Sequence, residues 1–184
     1  TLSLHDALPI CGNIYQRQLI DNINALYGFT SIITLDFKEL HLHEMLNELI
    51  EALSKIVSIV QAQVLYIPNR SDAHSDHRAV FSAIMACSKN FRYPFIEQIL
   101  MCEVISETDF APILGENTFS PNYFIDISEV FIKKIEILKM FGSELLPYPM
   151  TRNQSAIEAL NRYRGTLINA EYAEAFMSIK TIVR

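Results

Sequence analysis

The chain has 184 residues, half of them hydrophobic and a fifth charged, which is the composition of a globular domain with a real core. Its formal charge of −6 argues against a general nucleic-acid binder, which would present a basic face. Cys11, Cys87 and Cys102 have no paired spacing. They read as small buried hydrophobes in a reducing, cytoplasmic compartment, not as a disulfide frame or a cysteine zinc site. No apolar run reaches the length of a membrane span, and no signal peptide is visible.

In chain order, residues 1–10 show neither helical nor strand periodicity, and the first residue is Thr1. That stretch reads as an atypical, non-native N-terminus: a fragment edge or a foreign junction. Residues 13–27 read as a helix with Ile14, Leu19, Ile23 and Leu26 on one side and Gly28 as its stop. Residues 31–36 are β-branched and short, a predicted strand. Residues 42–60 carry the clearest apolar stripe, from Leu42 to Val60, with Glu44, Glu48, Glu51 and Lys55 opposite. Residues 63–68 are a predicted strand and 76–90 the next helix. This alternation predicts a parallel sheet wrapped by helices, with 31–36 and 63–68 as neighbouring parallel strands.

The second half is less regular. Residues 98–104 and 123–127 are predicted strands. Residues 106–121 read as a loop because of their polar residues, prolines and Gly115. Ser128 is a candidate cap for a helix over 129–141, in which Lys133-Lys134 reads as solvated surface. Thr151-Arg152-Asn153-Gln154 has capping-box form before Ile157, Leu160 and Tyr163, and Gly165 closes that helix. Residues 172–182 are ambiguous between strand and helix, with strand favoured.

The residues with chemistry lie at 74–77. Val64-Leu65-Tyr66-Ile67-Pro68 reads as a buried strand delivering a loop, and the loop carries His74-Ser75-Asp76-His77. Histidines three apart at a helix start can face the same way. Neutral imidazole is a common zinc ligand, and Asp76 is a candidate orienter of a ring N–H. The carboxyl end of a strand is where open α/β sheets keep their sites. The plain alternative is that Ser75 or Asp76 simply caps the helix. His77 shares a helical face with Val80, Ile84 and Cys87, so it should point inward and needs a partner there. Elsewhere the chemistry is thin. The sequence has no Gly-x-Ser-x-Gly, no phosphate loop and no Gly-x-Gly-x-x-Gly. His41 and His43, two apart, do not face each other and read as surface, and Glu103 and Glu107 read as surface carboxylates.

Several stretches in order resemble the LmbE-like family, also called the PIG-L or N-acetylglucosaminyl-phosphatidylinositol de-N-acetylase family. The strand at Val64–Pro68 and His74-Ser75-Asp76-His77-Arg78 are similar to its strand and His-x-Asp-His motif. Glu103-Val104-Ile105-Ser106-Glu107-Thr108, Phe119-Ser120-Pro121-Asn122, Tyr123-Phe124-Ile125-Asp126, Arg164-Gly165 and Tyr172-Ala173-Glu174-Ala175-Phe176 follow in the expected order. The resemblance implies an α/β fold with a Rossmann-like, mostly parallel sheet flanked by helices, one domain over 11–184. It implies a Zn2+-dependent hydrolase that removes an N-acetyl group from an N-acetylated sugar or sugar conjugate. Residue by residue, it implies that His77 binds zinc, His74 stabilises or protonates the tetrahedral intermediate, Asp76 orients His74, and Arg17 contacts substrate.

The departure lies at the front. The family's first strand carries a Pro-His-Pro-Asp-Asp-Glu type motif that supplies two zinc ligands and the general base, and this sequence does not contain it. His5-Asp6 does not match its spacing. The expectation is therefore a chain lacking the first strand and its metal motif, with impaired activity. The alternative is a non-catalytic α/β binding or scaffold module derived from that family. A homo-oligomer is compatible with the sequence; neither nucleic acid nor a membrane is an expected partner.

Overall fold

The structure, a computed structural model, describes residues 14–142 and 144–184, with 14–17 described by backbone alone. The atypical stretch 1–10 and Cys11 lie outside the described residues. The fold is α/β, a four-stranded mixed sheet with helices, in strand order β1-β2-β4-β3. It falls into two compact units, one of residues 35–122 and 176–184, the other containing 14–34 and 123–175.

The larger unit starts with helix α2 (Leu46–Val60), whose periodic stripe buries Leu49 and Val57. It packs on helix α3 (Ser75–Ala86), where the small residues Ala79 and Ala83 let the Leu49 side approach closely. Between them runs β1 (Val64–Ile67), parallel to β2 (Gln98–Cys102) in the register Val64↔Gln98 to Ile67↔Met101. A parallel pair needs a crossover, and α3 is in it. On its other side β2 pairs antiparallel with the 176–181 part of β4 (Ala173–Thr181), with an irregularity at Ile99/Leu100. Ile67, Ile84, Cys87, Ile96, Ile99 and Met101 form the core that fixes the end of β1.

The smaller unit contains α1 (Ile14–Tyr27), β3 (Tyr123–Asp126), α4 (Phe131–Met140), α5 (Gln154–Thr166) and the start of β4. Gly28 closes α1 at φ +74, its N–H bonded to Asn24 O at 2.8 Å, where a left-handed stop favours glycine.

Several expectations shift. Residues 31–36 form no strand, and β1 has β2 as its parallel neighbour. Local β-branching alone does not make a strand when no ladder partner satisfies the backbone. The sheet is mixed rather than purely parallel, because the ambiguous last segment becomes β4 and runs against β2. Ser128 does not cap α4: its hydroxyl bonds Asp126 at 2.6 Å and receives the amides of Glu171 and Tyr172. The cap of α5 is Asn153, two residues past Thr151, accepting from the Ala156 N–H at 2.9 Å. Lys134 is not solvated surface; it bonds Glu174 at 2.7 Å and Asn161 at 3.2 Å, and is 15 % exposed.

Gly165 sits inside the last turn of α5, not beyond it. A Cβ there would lie 2.6 Å from Ala170 O and 2.8 Å from Glu171 O, both backbone atoms. Helix propensity alone favours Ala by about 1 kcal/mol, but overpacking costs about 1–3 kcal/mol. Gly165→Ala is expected to destabilise the fold by an amount in that overpacking range, read from urea unfolding. A raised midpoint would show that the 170–171 backbone yields freely.

Candidate functional site

The loop between β1 and α3 is built around buried polar groups. Asn69, Asp72, Asp76 and His77 are 1 %, 0 %, 3 % and 4 % exposed. A buried carboxylate without donors is expensive, and Asp72 has three. Its Oδ1 accepts from Asn69 Nδ2 at 3.1 Å and from the Thr108 hydroxyl at 2.8 Å, and its Oδ2 faces His77 Nδ1 at 2.8 Å. Thr108 in turn accepts the Val104 N–H at 2.9 Å. The neighbouring segment is tied on by the Ala73 N–H to Glu107 O at 3.0 Å. Arg78 reaches back from α3 to the carbonyls of Asp72 and Ala73, each at 2.6 Å.

His77 points inward with Ile84 and Cys87, both buried. Its ring stacks on that of His74, with centroids 5.0 Å apart and an interplanar angle of 28°. His74 is itself the N-cap of α3: its Nδ1 accepts the Asp76 N–H at 3.1 Å. Neither Ser75 nor Asp76 holds that position.

Asp76 departs from the role the resemblance implies. Its carboxylate accepts the Leu40 N–H at 2.7 Å and the Leu42 N–H at 3.2 Å. It thus fixes a turn in which Leu40 takes φ 65, a strained value for leucine. The contact it makes to the His74 ring runs through its main-chain N–H. Arg17 lies on α1, and its side chain is outside the described residues. His41 and His43 both pair with Glu44, at 3.0 and 3.7 Å, on the surface. The hydrogen bond from His41 holds the Glu44 carboxyl below its ordinary value.

Asp72, Asn69 and Thr108 were not singled out by spacing. A loop Asp five residues before the inward His77 was the available signal, but its partners lie far along the chain. Burial raises the Cys87 thiol above its usual range, and its Sγ contacts Ile50 O at 3.4 Å, so it is a core group and no metal ligand.

A zinc can be tested against these donors. An imidazole backed by a carboxylate is the usual form of a histidine ligand, and His77 has it. A catalytic zinc takes three protein ligands. Among the described residues no group of three or more His, Cys, Asp or Glu could hold a metal ion. The described residues supply part of a zinc site and do not complete one.

No family model matches the chain. Among solved structures, the conserved protein TT1542 from Thermus thermophilus shares the fold at TM-score 0.73 and 18 % identity, over 96 % of this chain and 78 % of that one. N,N'-diacetylchitobiose deacetylase from Pyrococcus horikoshii matches at 0.68 and 19 %, over 90 % of this chain; the match spans 63 % of the deacetylase. The A40926 pseudoaglycone deacetylase Dbv21 matches at 0.68 and 12 %, over 93 % and 72 %. GalB, a 4-carboxy-2-hydroxymuconate hydratase from Pseudomonas putida KT2440, matches at 0.59 and 14 %, over 92 % and 73 %. These identities establish the fold. The fold alone does not choose between the reactions in those names.

Removing the Asp76 carboxylate strands two amides. Asp76→Ala is expected to cost about 1–3 kcal/mol and to speed hydrogen exchange at Leu40 and Leu42. Unchanged exchange at both amides would mean that the turn holds itself without Asp76.

Proposed function

We propose that this chain carries a hydrolase site of the LmbE/PIG-L type on a Rossmann-like α/β domain, acting on the N-acetyl amide of an N-acetylated sugar or sugar conjugate. The observation that carries the proposal is the stacked pair His74 and His77, held 5.0 Å apart on the loop that follows β1. The deacetylases that share the fold support the substrate class. Binding of Zn2+, with His77 as one ligand, belongs to the same reading, and the metal would supply a polarised water.

The residues divide the work as follows. His74 accepts the Asp76 N–H at Nδ1, so its neutral ring carries the proton on Nε2. That Nε2–H can donate to a developing oxyanion or to the departing amine, which is what amide cleavage requires of an acid. Asp76 positions His74 through the main chain and anchors the 40–42 turn through its carboxylate. Arg17 is assigned to substrate contact on its sequence match alone. Two described cysteines, Cys87 and Cys102, are free and buried, consistent with a reducing, cytoplasmic setting. Among the described residues no helix is long and apolar enough to cross a membrane.

The second reading, a non-catalytic binding module, draws on the incomplete ligand set. Zinc content per chain and acetate release from N,N'-diacetylchitobiose separate the two. The chain as given is expected to bind zinc weakly and release acetate slowly. Supplying a strand with a His-x-Asp-Asp segment should raise both, and His77→Ala should then abolish both. Full activity in the chain as given would mean that the catalytic residues are misassigned. No acetate release after the strand is supplied would favour the binding module.

A further inference from the structure

The polarity of the bonds around Asp72 can be read donor by donor. The Val104 N–H can only donate, and it donates to Thr108 Oγ1. The Thr108 hydroxyl proton is then directed to Asp72 Oδ1, where the Asn69 amide also donates. With Oδ1 receiving two donors, Oδ2 is the acceptor facing His77 Nδ1 at 2.8 Å. His77 therefore carries its proton on Nδ1 and presents a lone pair on Nε2. His74, which accepts at Nδ1, carries its proton on Nε2. The two stacked rings are fixed in opposite tautomers, one presenting an acceptor and the other a donor.

We propose that Asp72 and Thr108 are positioning residues: they lock His77 in its Nδ1–H tautomer and so create the acceptor half of this pair. Thr108 lies 36 residues from Asp72, so the segment after β2 sets the chemistry of a ring at the start of α3. The orientation is rigid, because Asp72 and His77 are almost wholly buried and no other described donor reaches Oδ2. The proposal rests on the hydrolase reading for the use made of the lone pair. The tautomer itself is independent of metal, substrate and activity.

The test is ring-nitrogen NMR on 15N-histidine-labelled chain at about pH 8, above the ordinary imidazole range. In the wild type, His77 should show a protonated Nδ1 and a bare Nε2, and His74 the reverse. Asp72→Asn should invert His77. Asn69 and Thr108 would hold the new amide oxygen at the Oδ1 position, which turns the amide NH2 toward His77 Nδ1. That nitrogen must then accept, and the proton moves to Nε2, as an Asp→Asn change does beside a catalytic imidazole elsewhere. Thr108→Val should broaden the single tautomer into a mixture, and Thr108→Ser should restore it. Zn2+ added to the wild type should shift the His77 Nε2 resonance, with about 10–100-fold weaker apparent binding in Asp72→Asn.

A His77 that keeps its Nδ1–H form in folded Asp72→Asn would overturn the proposal. So would a wild-type His77 in the Nε2–H form or in a mixture, which needs no variant to fold. If zinc leaves His77 untouched while the tautomers are as stated, the hydrolase reading fails and the positioning role of Asp72 stands.

Discussion

A carboxylate with no exposure to water must be met by donors or it unfolds its surroundings. Asp72 is such a group, and the shape of the loop after β1 follows from meeting it. Asn69 comes from the same loop, His77 from the first turn of α3, and Thr108 from the segment after β2. Bringing three donors to two oxygens fixes where each of these segments lies relative to the others. The bonds from Ala73 to Glu107 and from Arg78 to the loop carbonyls then close the remaining backbone groups. Removing any one donor would leave a charge partly unmet, so the arrangement is all-or-nothing in the way buried polar networks are.

The imidazole pair is a product of this constraint and of one helix end. His77 is held by a side chain and His74 by a main-chain N–H. An N-cap histidine satisfies one of the helix's orphan amides, and in doing so it commits Nδ1 as an acceptor. Two identical side chains three residues apart thus end with opposite polarity. Asp76, lying between them, is spent on Leu40 and Leu42. Its place in the first turn suits a negative charge near a helix N-terminus.

The sequence pattern revealed what depends on local periodicity. His77 shares its face with Ile84 and Cys87, so its burial could be read from spacing, as could α2 and the strand before the motif. What depends on distant partners could not. Nothing within a few residues of Asp72 announces Thr108, and nothing near Lys134 announces Glu174. Residues 31–36 have strand composition, but strand formation depends on a neighbour. The cap of α3 was misread for a different reason: histidine is not among the usual capping residues, so Ser75 and Asp76 drew attention away from it. Gly165 reads as a helix stop in one dimension and proves to be a contact with the 170–171 backbone in three.

The α/β frame itself leaves the reaction open, since it serves a hydratase as well as deacetylases. The choice of chemistry must lie in the groups placed at the end of β1. A donor Nε2–H on His74 serves a reaction in which negative charge grows on an oxygen or nitrogen of the substrate. An acceptor Nε2 on His77 serves to hold an electrophile or to receive a proton. Hydrolysis of an amide uses both, because the attacking water must lose a proton and the leaving amine must gain one. A module that only bound a sugar would have no use for a ring held by a buried carboxylate. Hydrogen bonds to sugar hydroxyls tolerate either tautomer, because a hydroxyl both donates and accepts. The cost of burying Asp72 is therefore better explained by a proton-handling or metal-holding role for His77 than by ligand binding alone.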